Sequence, residues 1–266
     1  MTFRNWRIGI HFQQDSVAIV ALLYERGRWA LRRWWRIPLA PGLVQQGRIV
    51  DVNEVVGQLR QWRRELPLQH QVSIALPASR TLQKQLPAPQ VALRESESAA
   101  WITGTMARQL EMPASSLCID YIASPTNNGW QATAAQRLDV DLLRQLARRL
   151  KLRLTAIVPD AAALSSFFPW LPDAAQGLAW QGDAQWLWAT QERWGYCPCA
   201  EASSFAQLTS RLSDDEFQLC SSPPLSECGF DCWSAIHRLQ PPLPACGDRF
   251  AIALGLALGG KSSWEG

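Results

Sequence analysis

The side chains best suited to chemistry here are three histidines, seven cysteines and one run of arginines, and their spacing limits what they can do. His11, His70 and His237 have no Gly-x-Ser-x-Gly elbow or comparable nucleophile signature beside them, so no catalytic triad is expected and no catalytic residue is assigned. The cysteines fall late, at Cys197, Cys199, Cys220, Cys228, Cys232 and Cys246 after a single earlier one. Their Cys-x-Cys and Cys-x3-Cys spacings do not build a zinc framework, and no histidine sits at a matching distance. Reduced thiols and no metal are the expectation. The arginine run, Arg137 to Arg153, includes Arg144, Arg148 and Arg149 on one side of an amphipathic helix, with Lys151 just beyond. A solvated helix face accounts for it. DNA contact is the alternative, but a net charge of +3 without interleaved aromatics argues against direct nucleic-acid binding.

The elements that must position these groups follow from apolar periodicity. Trp6–Phe12, Ser16–Tyr24 and Trp29–Ile37 read as a three-strand meander. Asp51 or Asn53 caps a helix reaching Glu65, and Gln71–Leu76 and Arg80–Leu86 are strands ended by prolines. Leu93–Leu110 is a helix whose stripe of Ala100, Gly104 and Ala107 is expected to pack closely. Ser116–Ala123 and Gly129–Ala135 are strands, and a helix from Asp139 or Asp141 follows, with Leu138, Leu142, Leu146 and Leu150 as its apolar face. After strand Leu152–Val158 and a short helix from Asp160, the stretch Phe167–Pro172 is expected to be an irregular link. A second meander follows over Gly177–Gln181, Gln185–Gln191 and Arg193–Cys197. Then come helix Ser203–Leu212, strand Phe217–Cys220, loop Ser221–Glu227, a short helix near Trp233–Arg238 and an apolar helix Phe250–Leu258. Alternating strands and helices predict a layered α/β architecture, and the two meanders suggest two related lobes.

A 266-residue chain that is 47% hydrophobic and 18% charged can bury a large core and is not disordered. Its longest apolar run is about half of the roughly 20 residues a helix needs to cross a bilayer. The opening residues lack a signal-peptide pattern, so the chain is expected in the cytoplasm. The fourteen tryptophans are expected to pack in the core and on sheet faces, with a partner groove formed by some of them as the alternative.

Several motifs combine into a resemblance. They are Gly9-Ile10-x-Phe12 followed by Val17, Gly47–Asp51, the strand and turn Val72–Arg80, Ala156–Leu164, and Ala253–Leu258. Together they resemble the PilM family of type IV pilus assembly proteins over nearly the whole chain. Trp34-Trp35, Ala75–Leu82 and Gly104–Arg108 narrow this to its HofM branch, linked to DNA utilization. The resemblance implies an actin-like ATPase (ribonuclease H-like) α/β fold in two lobes, residues 1–158 with an inserted subdomain and a reduced 159–266. It also implies a degenerate nucleotide cleft at Gly9, His11, Gln13, Asp160, Gly182 and Gly255. His11 stands where the family has an acidic residue, Gln13 where it has glycine, and Trp180 where a second acid is expected. Magnesium-bound phosphate needs those carboxylates, and Asp15 and Asp183 are displaced in register, so ATP hydrolysis is not expected. An active ATPase binding Mg-ATP in the cleft is the alternative. The implied role is a non-catalytic scaffold at the inner membrane, in a pilus-like machine that supports use of extracellular DNA. It would hold the N-terminal tail of a PilN-like membrane protein, with Arg80, Arg94 and Trp101 as candidate contacts.

Overall fold

The structure is a computed structural model that describes residues 5–87, 94–123, 129–212, 216–221 and 229–259. The chain opens with an antiparallel meander, β1 (Trp6–Phe12), β2 (Ser16–Glu25) and β3 (Arg28–Pro38). Arg26 and Gly27, with φ of 50° and 81°, make the tight turn between the last two. A two-residue ribbon, β4 (Val44–Gln45) and β5 (Arg48–Ile49), leads into α1 (Val52–Arg64). The Asp51 carboxylate caps α1 by accepting from the Asn53 and Glu54 N–H groups. Next comes β6 (His70–Leu76), then an insertion of β7 (Thr81–Pro87), α2 (Glu95–Gln109), β8 (Leu117–Ala123) and β9 (Gly129–Gln136). The chain returns through α3 (Arg137–Arg149) and β10 (Leu154–Pro159).

A 3-10 turn, Ala161–Trp170, leads to the second meander, β11 (Gly177–Gln181), β12 (Gln185–Thr190) and β13 (Trp194–Pro198). Then follow α4 (Phe205–Leu212), β14 (Phe217–Cys220), β15 (Gly229–Phe230) and the closing helix α5 (Ala251–Gly259).

The sheets run β10-β6-β1-β2-β3 and β13-β12-β11-β14-β15. In each, a three-strand meander is extended by two parallel strands on the far side of its first strand. The same plan therefore occurs twice. In β2, Val17, Ile19 and Ala21 face one apolar layer and Ala18, Val20 and Leu22 the other. Burial on both faces is why its sequence is a continuous apolar run. The insertion carries its own small core around Leu86, Ile102 and Met106.

The connecting elements cross over. α5 packs on β1 and β2 of the first sheet, while the turn after β10 packs on β11 and β12 of the second. Small residues allow this approach. A side chain on Gly9 would run into the Ala253 carbonyl, and one on Gly255 into that of Ala163.

Four expectations need correction. The 3-10 turn runs through Phe167–Trp170, and Phe167 is fully buried, so this stretch is core and not an irregular link. α3 buries Val140, Leu143, Leu146, Ala147 and Leu150, whereas Leu138 is 61% exposed. The helix begins two residues before Asp139, which turns that carboxylate inward. α2 packs through Ser98, Ile102 and Met106 and not through its small-residue stripe, for a side chain on Gly104 would meet open space. The short helix near Trp233 is a 3-10 turn over Cys232–Ala235. Most of the loop Ser221–Glu227 lies outside the described residues.

Candidate functional site

A cavity of about 850 Å³ opens between the sheets. It is lined by the β1–β2 turn, the β11–β12 turn, the end of β6 and the residues just after β10 and β14. Parallel strands bring their C-terminal ends to one edge, and that edge is where α/β sheets place ligands.

Of the six residues assigned to the cleft, His11, Gln13, Asp160 and Gly182 line this cavity. Gly9 and Gly255 do not. They lie beneath and within α5, where close packing explains their lack of a side chain. Arg80 reaches the cavity wall, whereas Arg94 caps α2 and Trp101 packs against Trp130 in the insertion, so the three are not brought together.

His11 ends β1 and is 6% exposed. Burial pushes its pKa down to about 4, so it is neutral at pH 7. Its ring stands edge-on to Trp180 at 5.5 Å, and Nδ1 has no partner. The Trp180 indole N–H donates to the Asp248 carbonyl at 2.7 Å. On the opposite wall, burial raises the Asp160 carboxyl to about 7. Two backbone N–H donors, from Ala78 at 2.8 Å and Ala161 at 2.7 Å, oppose that rise.

The turns at the mouth are tied to one another. The Gln13 side-chain amide donates to the Arg249 carbonyl at 2.7 Å. The Arg249 guanidinium lies 3.2 Å from Asp183 on one turn and 3.8 Å from Asp15 on the other. Asp15 also pairs with Arg36 at 2.8 Å. A hydrogen bond from the Ser16 hydroxyl, helped by those two guanidiniums, holds the Asp15 carboxyl below its ordinary range despite some desolvation. The backbone N–H groups of Gln13 and Gly182 are spent inside their own turns, on the carbonyls of Ser16 and Gln185.

These residues do not fit a hydrated magnesium ion with a polyphosphate. The two mouth carboxylates already face arginine, and a neutral histidine holds the position of the expected first acid. Two backbone amides of these turns are already occupied. Among the described residues, no group of three or more Cys, His, Asp and Glu side chains could hold a metal ion.

Beside the cavity, Asp139 of α3 is 4% exposed and lies 2.7 Å from Arg80 and 3.4 Å from Arg48. Sequence reasoning named Arg80 but missed its partners Asp139 and Arg48, and it missed Arg249. Asp139 read as a helix-start residue, and nothing near Arg249 in the chain signals its distant partners.

No model of a protein family matches the chain. Among solved structures, it superposes on a protein of the PilM–PilN type IV pilus biogenesis complex with a TM-score of 0.72 at 16% identity, covering 95% of this chain and 98% of that one. It also superposes on the cytoplasmic domain of EpsL, an inner-membrane component of the Vibrio cholerae type II secretion system, with a TM-score of 0.59 at 11% identity and 93% of each chain covered. The fold is thus the actin-like α/β fold. By sequence, the chain is 44% identical over 261 residues to the DNA utilization protein HofM of Escherichia coli K12, covering 97% of this chain and 99% of that relative. With paired meander sheets around one cavity and identity at this level from end to end, the chain belongs to the HofM family of PilM-like proteins.

Proposed function

We propose that this protein is a non-catalytic scaffold of a pilus-like DNA-uptake machine, holding the cytoplasmic N-terminal tail of a PilN-like inner-membrane protein. The observation that carries the reading is Arg249 set between Asp15 and Asp183, which satisfies inside the chain the two mouth carboxylates that could have stood in for the missing metal-holding acids. A protein that keeps the two-sheet frame without that chemistry has a binding role left to it. The tail would lie as an extended segment along the groove by Arg80, with Arg94 and Trp101 of the insertion as further contacts. Through this tail the protein would sit on the cytoplasmic side of the inner membrane.

One observation favours a second reading, an ATPase. The cavity has the volume for a nucleotide, and Asp160 stands in its wall with a carboxyl near pH 7, suited to a general base. Calorimetric titration of the purified protein separates the two. Heat on adding the synthetic tail peptide and silence with Mg-ATP is the expected result. Tight, magnesium-dependent nucleotide binding would replace the scaffold with the enzyme.

A further inference from the structure

The edge of the first sheet opposite the cavity gathers positive charge. β1, β6 and β10 run parallel, so their starts share an edge roughly 20 Å from the ends that line the cavity. α1 and α3 pack side by side and both finish there. The Arg63 guanidinium donates to the Leu150 carbonyl at 2.9 Å and to the Lys151 carbonyl at 3.1 Å, which locks the two helix ends together. Arg60 and Arg64 lie on the closing turns of α1, Arg148 and Arg149 on that of α3, and Lys151 and Arg153 in the link to β10. These six are exposed and make no ion pair among the described residues. The acid nearest in sequence, Glu65, is taken by Arg33 at 3.0 Å and by the Trp35 indole. A chain of net charge +3 has therefore placed seven cations on one edge.

In the middle of this edge the loop from α1 to β6 carries Leu68, which is 92% exposed and follows Arg64 by four positions. A fully exposed leucine among unpaired cations gains nothing from water. It also gains nothing from nucleic-acid phosphates, and the aromatics near this edge are committed to the core: Trp62 is 3% exposed, and the half-buried Trp6 and Trp35 pack against the same apolar cluster. An anionic lipid surface offers both what the cations need and what Leu68 needs, a layer of negative headgroups over an apolar boundary.

We propose that this edge, Arg60, Arg63, Arg64, Arg148, Arg149, Lys151 and Arg153 around Leu68, docks directly on an anionic phospholipid surface. The contact is independent of the tail-binding groove and adds to it. With a partner already anchored in the bilayer, a weak surface contact fixes which way the cavity points, since two linked attachments raise each other's effective concentration.

Flotation of the purified full-length chain tests this, using vesicles of phosphatidylcholine alone or mixed with phosphatidylglycerol, at low and high salt. Binding to the mixed vesicles alone, weakening as salt rises, is the expected result. Each cation near such a surface is worth about a factor of five in partitioning, so the triple change R64Q/R149Q/K151Q should weaken binding by about a hundredfold. Leu68→Ser should weaken it roughly tenfold. It should leave any binding to duplex DNA, followed by fluorescence anisotropy, unchanged. All the changed side chains are exposed, so the melting temperatures of the variants should match the parent and exclude misfolding as a cause. Failure of the parent chain to bind anionic vesicles at low salt overturns the proposal. Capture of duplex DNA without vesicles transfers the edge to nucleic acid. Vesicle binding that ignores Leu68→Ser reduces it to unspecific attraction between polyions and overturns it as well.

Discussion

The two ends of the first sheet treat charge in opposite ways. At the cavity end, Asp15 faces Arg36 and Arg249, Asp139 faces Arg80 and Arg48, and Asp160 is held by two backbone N–H groups. At the other end six exposed cations make no ion pair among the described residues. The difference separates what an inherited frame needs from what a partner needs. The buried carboxyls among these, Asp139 and Asp160, must be compensated within the chain, because an unpaired buried charge costs several kcal/mol. Charges on a solvated edge cost little and remain free for an external surface.

The hardest test of the cavity end is Gly9→Ala. Its methyl would strike the Ala253 carbonyl, which is helix backbone and cannot rotate away. Destabilisation of about 3 kcal/mol or more is expected, seen as a large drop in melting temperature. A tolerated alanine would mean that α5 is not seated on β1 as described.

Next in size are the two titrating residues. The Asp160 carboxyl rises from 3.8 to about 7 on folding, so this group stabilises fully below 3.8 and loses that contribution as pH rises to about 7. His11 falls from 6.5 to about 4, so its contribution is complete above 6.5 and disappears as pH drops to about 4. Asp160→Asn keeps an oxygen for the Ala78 and Ala161 N–H groups and removes the first dependence. Its stability relative to the parent should improve by a few kcal/mol between acid and neutral pH, whatever its constant offset. His11→Gln should flatten the acid limb instead. Urea titrations across this range read both slopes, and a parent-like slope in either variant removes that residue from the account. On the basic edge, R64Q or R149Q should change stability by less than about 0.5 kcal/mol by the same measurement.

Much of this frame was legible in the sequence, for a local reason. The strand of Val17–Leu23 is apolar at every position because layers cover both its faces, and the helix after Asp51 is capped by the residue just before it. Gly9 and Gly255 stand out in the family pattern, and the resemblance placed them in a degenerate nucleotide cleft, whereas helix packing explains them here. A glycine signals close approach without naming what approaches. The mouth of the cavity was less legible because its ties span the chain. Gln13 meets Arg249 across 236 positions, and no local period records such a contact. The basic edge was seen only in half, through α3. Arg60, Arg63 and Arg64 join it because α1 ends beside α3, and that is tertiary information.

A small effect on stability is also expected at the residue that carries most of the functional argument. Arg249 is 33% exposed, and its partners Asp15 and Asp183 are 55% and 49% exposed. Water screens such pairs, so Arg249→Gln should cost less than about 1 kcal/mol. Its consequence at the cavity mouth is larger, since it releases Asp183 and leaves Asp15 with Arg36 alone. If a bound arginine is what keeps divalent cations away, the variant should gain magnesium binding that the parent lacks, detected as a magnesium-dependent rise in melting temperature. If both proteins ignore magnesium, the neutral His11 and the occupied turn amides suffice to exclude it and the arginine is a structural tie. If the parent already responds to magnesium, the contrast between a compensated cleft and an uncompensated edge fails at the cleft.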